Sequence, residues 1–245
     1  MKFYKMRWVK ITTSILLVMI LIVSAFYIYT LDYYRATPIA VQAMQQTQTL
    51  SVQQKDNMIV FVPKLPSGTG LIFYPGAKVE YTAYAPLMTK LSKQGITCVL
   101  MKMPFNLAVF DVNAADRAIQ SLPSIKTWYV GGHSLGGAMA SAYASNHSQK
   151  LAGLVLLGAY PSSDLSHTDL KLLTIYGTND KVLNRQKLKE NKVNAPKDSK
   201  YIEIAGGNHA HFGTYGEQKG DGTAVITAEE QQKQAVTAIM NLINK

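Results

Sequence analysis

The stretch Thr127-Trp128-Tyr129-Val130-Gly131-Gly132-His133-Ser134-Leu135-Gly136-Gly137-Ala138-Met139-Ala140 decides the fold. An apolar, β-prone run leads into Gly-x-Ser-x-Gly and a small-residue stretch follows, so the pattern reads strand, sharp turn, helix. A turn that tight holds the serine in a strained backbone conformation and leaves no room for side chains beside it, which is why Gly132 and Gly136 flank it. The reversal lifts the Ser134 hydroxyl to the carboxyl end of a sheet. The helix behind it aims free N–H groups and its positive end at any oxyanion formed there. Ser134 is therefore a candidate nucleophile.

A serine so placed needs an acid and then a histidine further along the chain. Asp180 follows the apolar run Leu172-Leu173-Thr174-Ile175-Tyr176-Gly177, in the loop Thr178-Asn179-Asp180-Lys181. A carboxylate at that edge of a parallel sheet can orient an imidazole and stabilise its protonated form. Asp164, which also follows an apolar run, is the rival acid, but the passage from strand to loop is cleaner at Asp180. The base lies in Ile202-Glu203-Ile204-Ala205-Gly206-Gly207-Asn208-His209-Ala210-His211. His209 comes directly after the glycine pair and reads as the base, with His211 structural or pocket-lining. No carboxylate or cysteine stands near this His-x-His at ligand spacing, so neither a metal nor another cofactor is expected. His133 is expected to point away from Ser134 and pack, and His147 and His167 to lie on the surface.

Strands are expected over residues 49–53 and 58–62, paired as a hairpin through Lys55-Asp56-Asn57. Further strands read at 71–74, 96–101, 127–130, 153–157, 172–176 and 201–204, with helices at 83–93, 112–121, 137–146, 184–192 and 228–243. Such alternation predicts an α/β fold with a mostly parallel sheet covered by helices on both faces.

With these motifs in order, the chain resembles the α/β-hydrolase superfamily over roughly residues 41–245. More narrowly it resembles compact bacterial serine hydrolases of the dienelactone-hydrolase-like and carboxylesterase kind. The narrower likeness rests on Phe73-Tyr74-Pro75-Gly76-Ala77-Lys78-Val79, on Lys102-Met103-Pro104-Phe105-Asn106-Leu107-Ala108, and on Gly207-Asn208-His209-Ala210 with a later Gly220-Asp221-Gly222. The resemblance implies an α/β-hydrolase fold in which Ser134, Asp180 and His209 act as nucleophile, acid and base on an ester-type bond. It also implies that the N–H of Leu135 and one from the Pro75-Gly76-Ala77 loop receive the oxyanion. Many relatives carry His-Gly where this chain has Pro-Gly, so the loop donor is Ala77 or Lys78. Acyl transfer to another alcohol would use the same groups. A non-catalytic binding module on this fold is the remaining alternative, although such modules usually lose a triad member. Haloalkane and epoxide chemistry would require aspartate at the elbow. Lids of the superfamily are commonly inserted after the strand that here ends at Gly158, and residues 159–169 are too few for a helical cap. Short loops must then wall the pocket, with Tyr81, Tyr84 and Phe105 as candidate contacts to a small acyl substrate.

The amino-terminal end has a different character. Lys2, Lys5, Arg7 and Lys10 precede residues 11–31, which carry no charge. That run just reaches the length of a bilayer-spanning helix. The basic cluster predicts a cytoplasmic amino terminus and an extracytoplasmic domain. A signal peptide cleaved at Val23-Ser24-Ala25 is the alternative, disfavoured because the apolar run continues past Ala25. The expected division is a basic segment and anchor over 1–35 and one hydrolase domain over 36–245, which is enough chain for a single core. Cys98 stands alone, so no intramolecular disulfide can form, and a buried position is expected for it. The formal net charge of +10 comes partly from the amino-terminal cluster. No aromatic and basic residues interleave, which argues against nucleic-acid binding.

Overall fold

The computed structural model describes residues 2–244, without the side chains of Lys2, Phe3, Tyr4, Lys5 and Arg7. Most of the basic cluster on which the topology argument rests, Lys2, Lys5 and Arg7, therefore lies outside the described side chains. The chain divides into two compact units, Met1–Tyr33 and Tyr34–Lys245.

The first unit carries one helix, α1 (Lys2–Leu31), with no acidic residue in its first turn. Within it Trp8–Leu31 spans 24 residues at a mean hydropathy of 2.5. At 1.5 Å per residue this is about 36 Å, enough to cross a bilayer core by length and composition, a property that signal sequences share.

The second unit begins at Tyr34, whose N–H and carbonyl are hydrogen-bonded to Lys78 and Glu80. Its elements run α2 (Pro38–Gln42), β1 (Leu50–Lys55), β2 (Met58–Pro63), β3 (Thr69–Tyr74), α3 (Ala85–Ser92), β4 (Thr97–Met101), α4 (Ala114–Ser121), β5 (Thr127–His133), α5 (Leu135–Asn146), β6 (Gly153–Leu157), β7 (Lys171–Gly177), α6 (Arg185–Glu190), β8 (Ser199–Ile204) and α7 (Ala228–Ile243). The eight strands form a single sheet in the order β1-β2-β4-β3-β5-β6-β7-β8. β2 pairs antiparallel with both β1 and β4, and every other pairing, from β4 and β3 across to β8, is parallel.

Alternate residues of each central strand enter opposite cores, as the two-residue repeat of a strand requires. Leu71, Phe73, Val155 and Leu157 pack on one face with Leu87, Leu91 and Ile239. Ile72, Tyr74, Leu154 and Leu156 pack on the other with Ala118, Ala140 and Tyr143. Strands buried on both sides explain why these segments are apolar without a polar alternation. Cys98 is buried and unpaired with another cysteine. On α7 the buried Ala235, Val236, Ile239 and Leu242 form one stripe, and a Thr227–Glu230 capping box closes its amino terminus.

The register brings the strand ends together. Tyr74 pairs with Gly132, His133 with Leu157, Leu157 with Ile175, and Gly177 with Ile204. The loops after β3, β5, β6, β7 and β8 thus emerge along one edge, the edge where open α/β sheets hold their ligands. The segment entering the unit reaches the same edge: Tyr34 N–H donates to the Lys78 carbonyl at 2.7 Å and Glu80 N–H to the Tyr34 carbonyl at 2.8 Å. Residues 159–170, between β6 and β7, contain no helix.

Candidate active site

Ser134 sits between β5 and α5 with φ 53° and ψ −122°. A non-glycine residue holds such a backbone only where its surroundings force it. The forcing is visible at Gly136, where a Cβ would run into the carbonyl oxygens of Tyr74 and Pro75. Glycine lets the start of α5 press against the end of β3. Leu135, the first residue of α5, has an N–H with no partner inside the helix.

The loop after β3 supplies the facing groups. Gly76 N–H donates to the Tyr84 hydroxyl at 3.0 Å, and Lys78 N–H donates to the Asn106 carbonyl at 2.9 Å. Among the described residues, Ala77 N–H makes no hydrogen bond. Of the two donors expected there, Lys78 is engaged and Ala77 is the one left over.

Asp180 and His209 meet across the loops after β7 and β8. His209 Nδ1 lies 2.9 Å from Asp180 Oδ2, both side chains buried. The other carboxylate oxygen accepts N–H groups from Val182 at 3.0 Å and Leu183 at 2.7 Å, so the whole carboxylate is held. His209 Nε2 is buried and has no partner among the described residues. With Nδ1 hydrogen-bonded to the carboxylate, Nε2 is the nitrogen left to take up a proton. Ser134 and His209 line one cavity of about 260 Å³, together with Tyr160, Val182, Leu183 and Asn184.

The rivals lie elsewhere. Asp164 is exposed and accepts the N–H and hydroxyl of Ser166. The His211 ring is not part of the Asp180 pair: its Nδ1 has no partner among the described residues, and it is the backbone N–H of His211 that donates to Asn208 Oδ1 at 3.0 Å. His167 is exposed. His147, expected on the surface, is half-buried and stacked on Tyr143 at 4.4 Å, because α5 brings residues four apart onto one face.

Tyr84, expected to touch substrate, is corrected by its burial: it is inaccessible to solvent, and its hydroxyl serves Gly76 and His133. Tyr81 is half-buried, Phe105 is exposed and packs edge-on against Phe110 at 5.7 Å, and neither lines the cavity with Ser134. The loops after β6 and β7 carry its apolar wall instead, through Tyr160, Val182 and Leu183.

Two groups escaped the reading of the sequence. His133, assigned to packing alone, is buried with its ring 4.4 Å from that of His209. The Tyr84 hydroxyl accepts from Gly76 and is hydrogen-bonded to His133 Nδ1 at 2.8 Å. Burial, and then the neighbouring His209, hold the His133 pKa well below its ordinary value, so this ring stays neutral. Gly158, at φ 52°, follows β6 directly beneath the pair; a Cβ there would stand 2.8 Å from His209 Nδ1 and 3.3 Å from Asp180 Oδ2. A glycine closing a fully apolar strand was the available signal.

Sheet order, strand-end loops and a serine at positive φ define a hydrolase-type α/β fold. The family model described as "Alpha/beta hydrolase family" matches residues 70–233, and the chain belongs to that family. The general activity this membership supports is hydrolysis. Among solved structures, the chain is similar to a dienelactone hydrolase from Anabaena variabilis, at 14% identity and TM-score 0.58 over 79% of this chain and 99% of that one. It is also similar to a Xanthomonas campestris protein described as an α/β serine hydrolase without lid, at 12% identity and TM-score 0.55 over 80% of this chain and 96% of that one. Likeness at these identities is likeness of fold. A curated relative from Mycobacterium phage D29, described as a "Putative non-heme haloperoxidase", is 25% identical over 126 residues, 48% of this chain and 45% of that protein. The match thus spans less than half of that relative.

Proposed function

We propose that this chain hydrolyses an ester-type acyl bond through Ser134, His209 and Asp180. The observation that carries the reading is the buried His209–Asp180 pair: His209 Nε2 has no partner among the described residues, and His209 lines the same cavity as Ser134. His209 Nε2 takes the Ser134 proton as Oγ attacks the acyl carbon, and Asp180 stabilises the imidazolium formed. The carbonyl oxygen becomes an oxyanion received by the N–H groups of Leu135 and Ala77. Collapse expels the alcohol, which takes the proton from His209. Water then attacks the acyl-enzyme with the same proton transfers, releasing the acid and restoring Ser134.

The cavity is small and its wall apolar, which suits short or exposed acyl groups rather than long fatty chains. Residues 1–35 act as a basic segment and membrane anchor, and residues 36–245 work on the outer face, as the basic residues ahead of the uncharged run 11–31 favour.

A fluorophosphonate probe tests the chemistry. It should label the full chain in detergent, and Ser134→Ala should abolish both labelling and p-nitrophenyl acetate hydrolysis. Equal labelling of a folded Ser134→Ala protein would sink the proposal. Rates should fall steeply from acetate or butyrate to palmitate esters.

A further inference from the structure

The turn Gly220-Asp221-Gly222 takes no part in the steps above, yet it touches both loops that carry the acid and the base. Asp221 Oδ1 accepts the N–H of Lys181, the residue after Asp180, at 3.2 Å, and that of Gly222 at 2.7 Å. Its Oδ2 accepts the N–H of Ala210, the residue after His209, at 2.9 Å. One carboxylate therefore bridges the residues that follow the acid and the base. The next two residues repeat the pattern through their carbonyls: Gly222 accepts from Asn208 Nδ2 at 2.8 Å and Thr223 from Asn179 Nδ2 at 2.7 Å. Asn179, Lys181, Asn208 and Ala210, the immediate neighbours of Asp180 and His209, are all fastened to three consecutive residues. Gly222 has no space for a side chain, since a Cβ would strike the Asn179 carbonyl.

We propose that Asp221 is a positioning residue that sets the separation of Asp180 and His209. The proposal rests on the Ser134–His209–Asp180 reading. Acid and base stand on separate loops beyond the paired strands; Asn179 N–H donates to the Gly207 carbonyl at 2.8 Å on the strand side of the pair, and a single hydrogen bond joins the two side chains. A charged acceptor shared by both loops adds stronger, charge-assisted bonds on the far side of the pair, so that each loop is tied to the other both before and after its functional residue. Catalysis is sensitive to such placement, because an ångström of misalignment costs about a hundredfold in rate.

The test is Asp221→Asn in the full chain, assayed with p-nitrophenyl acetate after wild-type Ser134 labelling has been established. Asparagine keeps the size but presents an NH₂ to one of the two loop N–H groups, so one bridge is lost. The kcat should fall about 10- to 100-fold, with KM within about twofold because Asp221 does not line the cavity. The downfield proton NMR signal of the His209–Asp180 hydrogen bond should broaden or disappear. Unchanged kcat and an unchanged signal would overturn the proposal. Should Asp221→Asn fail to fold, Asn179→Ala, which cuts the Thr223 tie of the same clamp at a half-buried position, decides the matter by the same two readouts. If wild-type protein is not labelled at Ser134, the triad reading itself fails, and the NMR signal alone then judges Asp221.

Discussion

Gly158 stands so close to His209 that a Cβ at this position would lie 2.8 Å from the imidazole Nδ1, the nitrogen that faces Asp180. Space for the candidate acid–base pair therefore depends on a residue that takes no chemical part in the proposed reaction.

Gly158→Ala should consequently lower kcat about 100-fold, the scale of an ångström displacement in the acid–base pair. Its φ of 52° adds a backbone strain of about 1–3 kcal/mol. Chemical denaturation and p-nitrophenyl acetate kinetics would check both. Activity near wild type would mean that the pair tolerates displacement.

Replacing Tyr84 by phenylalanine removes the hydroxyl that joins Gly76 N–H to His133 Nδ1. Two buried polar groups then lose their partner, at about 1–3 kcal/mol each. The loop carrying Ala77 is freed, so kcat should drop while KM stays close to wild type, since Tyr84 is buried away from the cavity. A large rise in KM with kcat preserved would restore Tyr84 as a substrate contact.

The two candidate bases and acids separate by paired substitutions. His209→Ala and Asp180→Asn should each reduce turnover about 10⁴-fold. His211→Gln and Asp164→Asn should leave most of it, because neither side chain joins the Asp180–His209 pair. The opposite ranking would move the roles to the other members.

The neutral His133 makes stability depend on pH. Its folded pKa lies well below the 6.5 of the exposed group, so the unfolded chain binds the extra proton first as pH falls. The contribution is fully present above about pH 6.5 and is lost below it, at about 1.4 kcal/mol per pH unit. Denaturant midpoints from pH 7.5 to 5 should show this slope in wild type and a shallower one in His133→Gln. Parallel slopes would show that His133 becomes protonated without unfolding the chain.

The local pattern from Thr127 to Ala140 determined the strand, the tight turn and the helix by itself, because every constraint acts within a few residues of Ser134. The apolar runs likewise showed their strands, and residues 228–243 were readable as a helix to the residue. Pairing order was not readable: β4 inserts between β2 and β3, and nothing within either segment states its neighbour. Likewise Asp180 and Asp164 both follow apolar strands, and only the register that aligns Gly177 with Ile204 brings the Asp180 loop against the His209 loop. Tyr84 read as a loop aromatic, yet its hydroxyl meets His133, 49 residues away. Asp221 and Lys181 are 40 residues apart and meet through a backbone N–H, a group every residue but proline carries. Short-range sterics write themselves into sequence as glycines and apolar periods. Long-range hydrogen bonds leave no such period, and the tertiary structure alone decides which buried donor meets which acceptor.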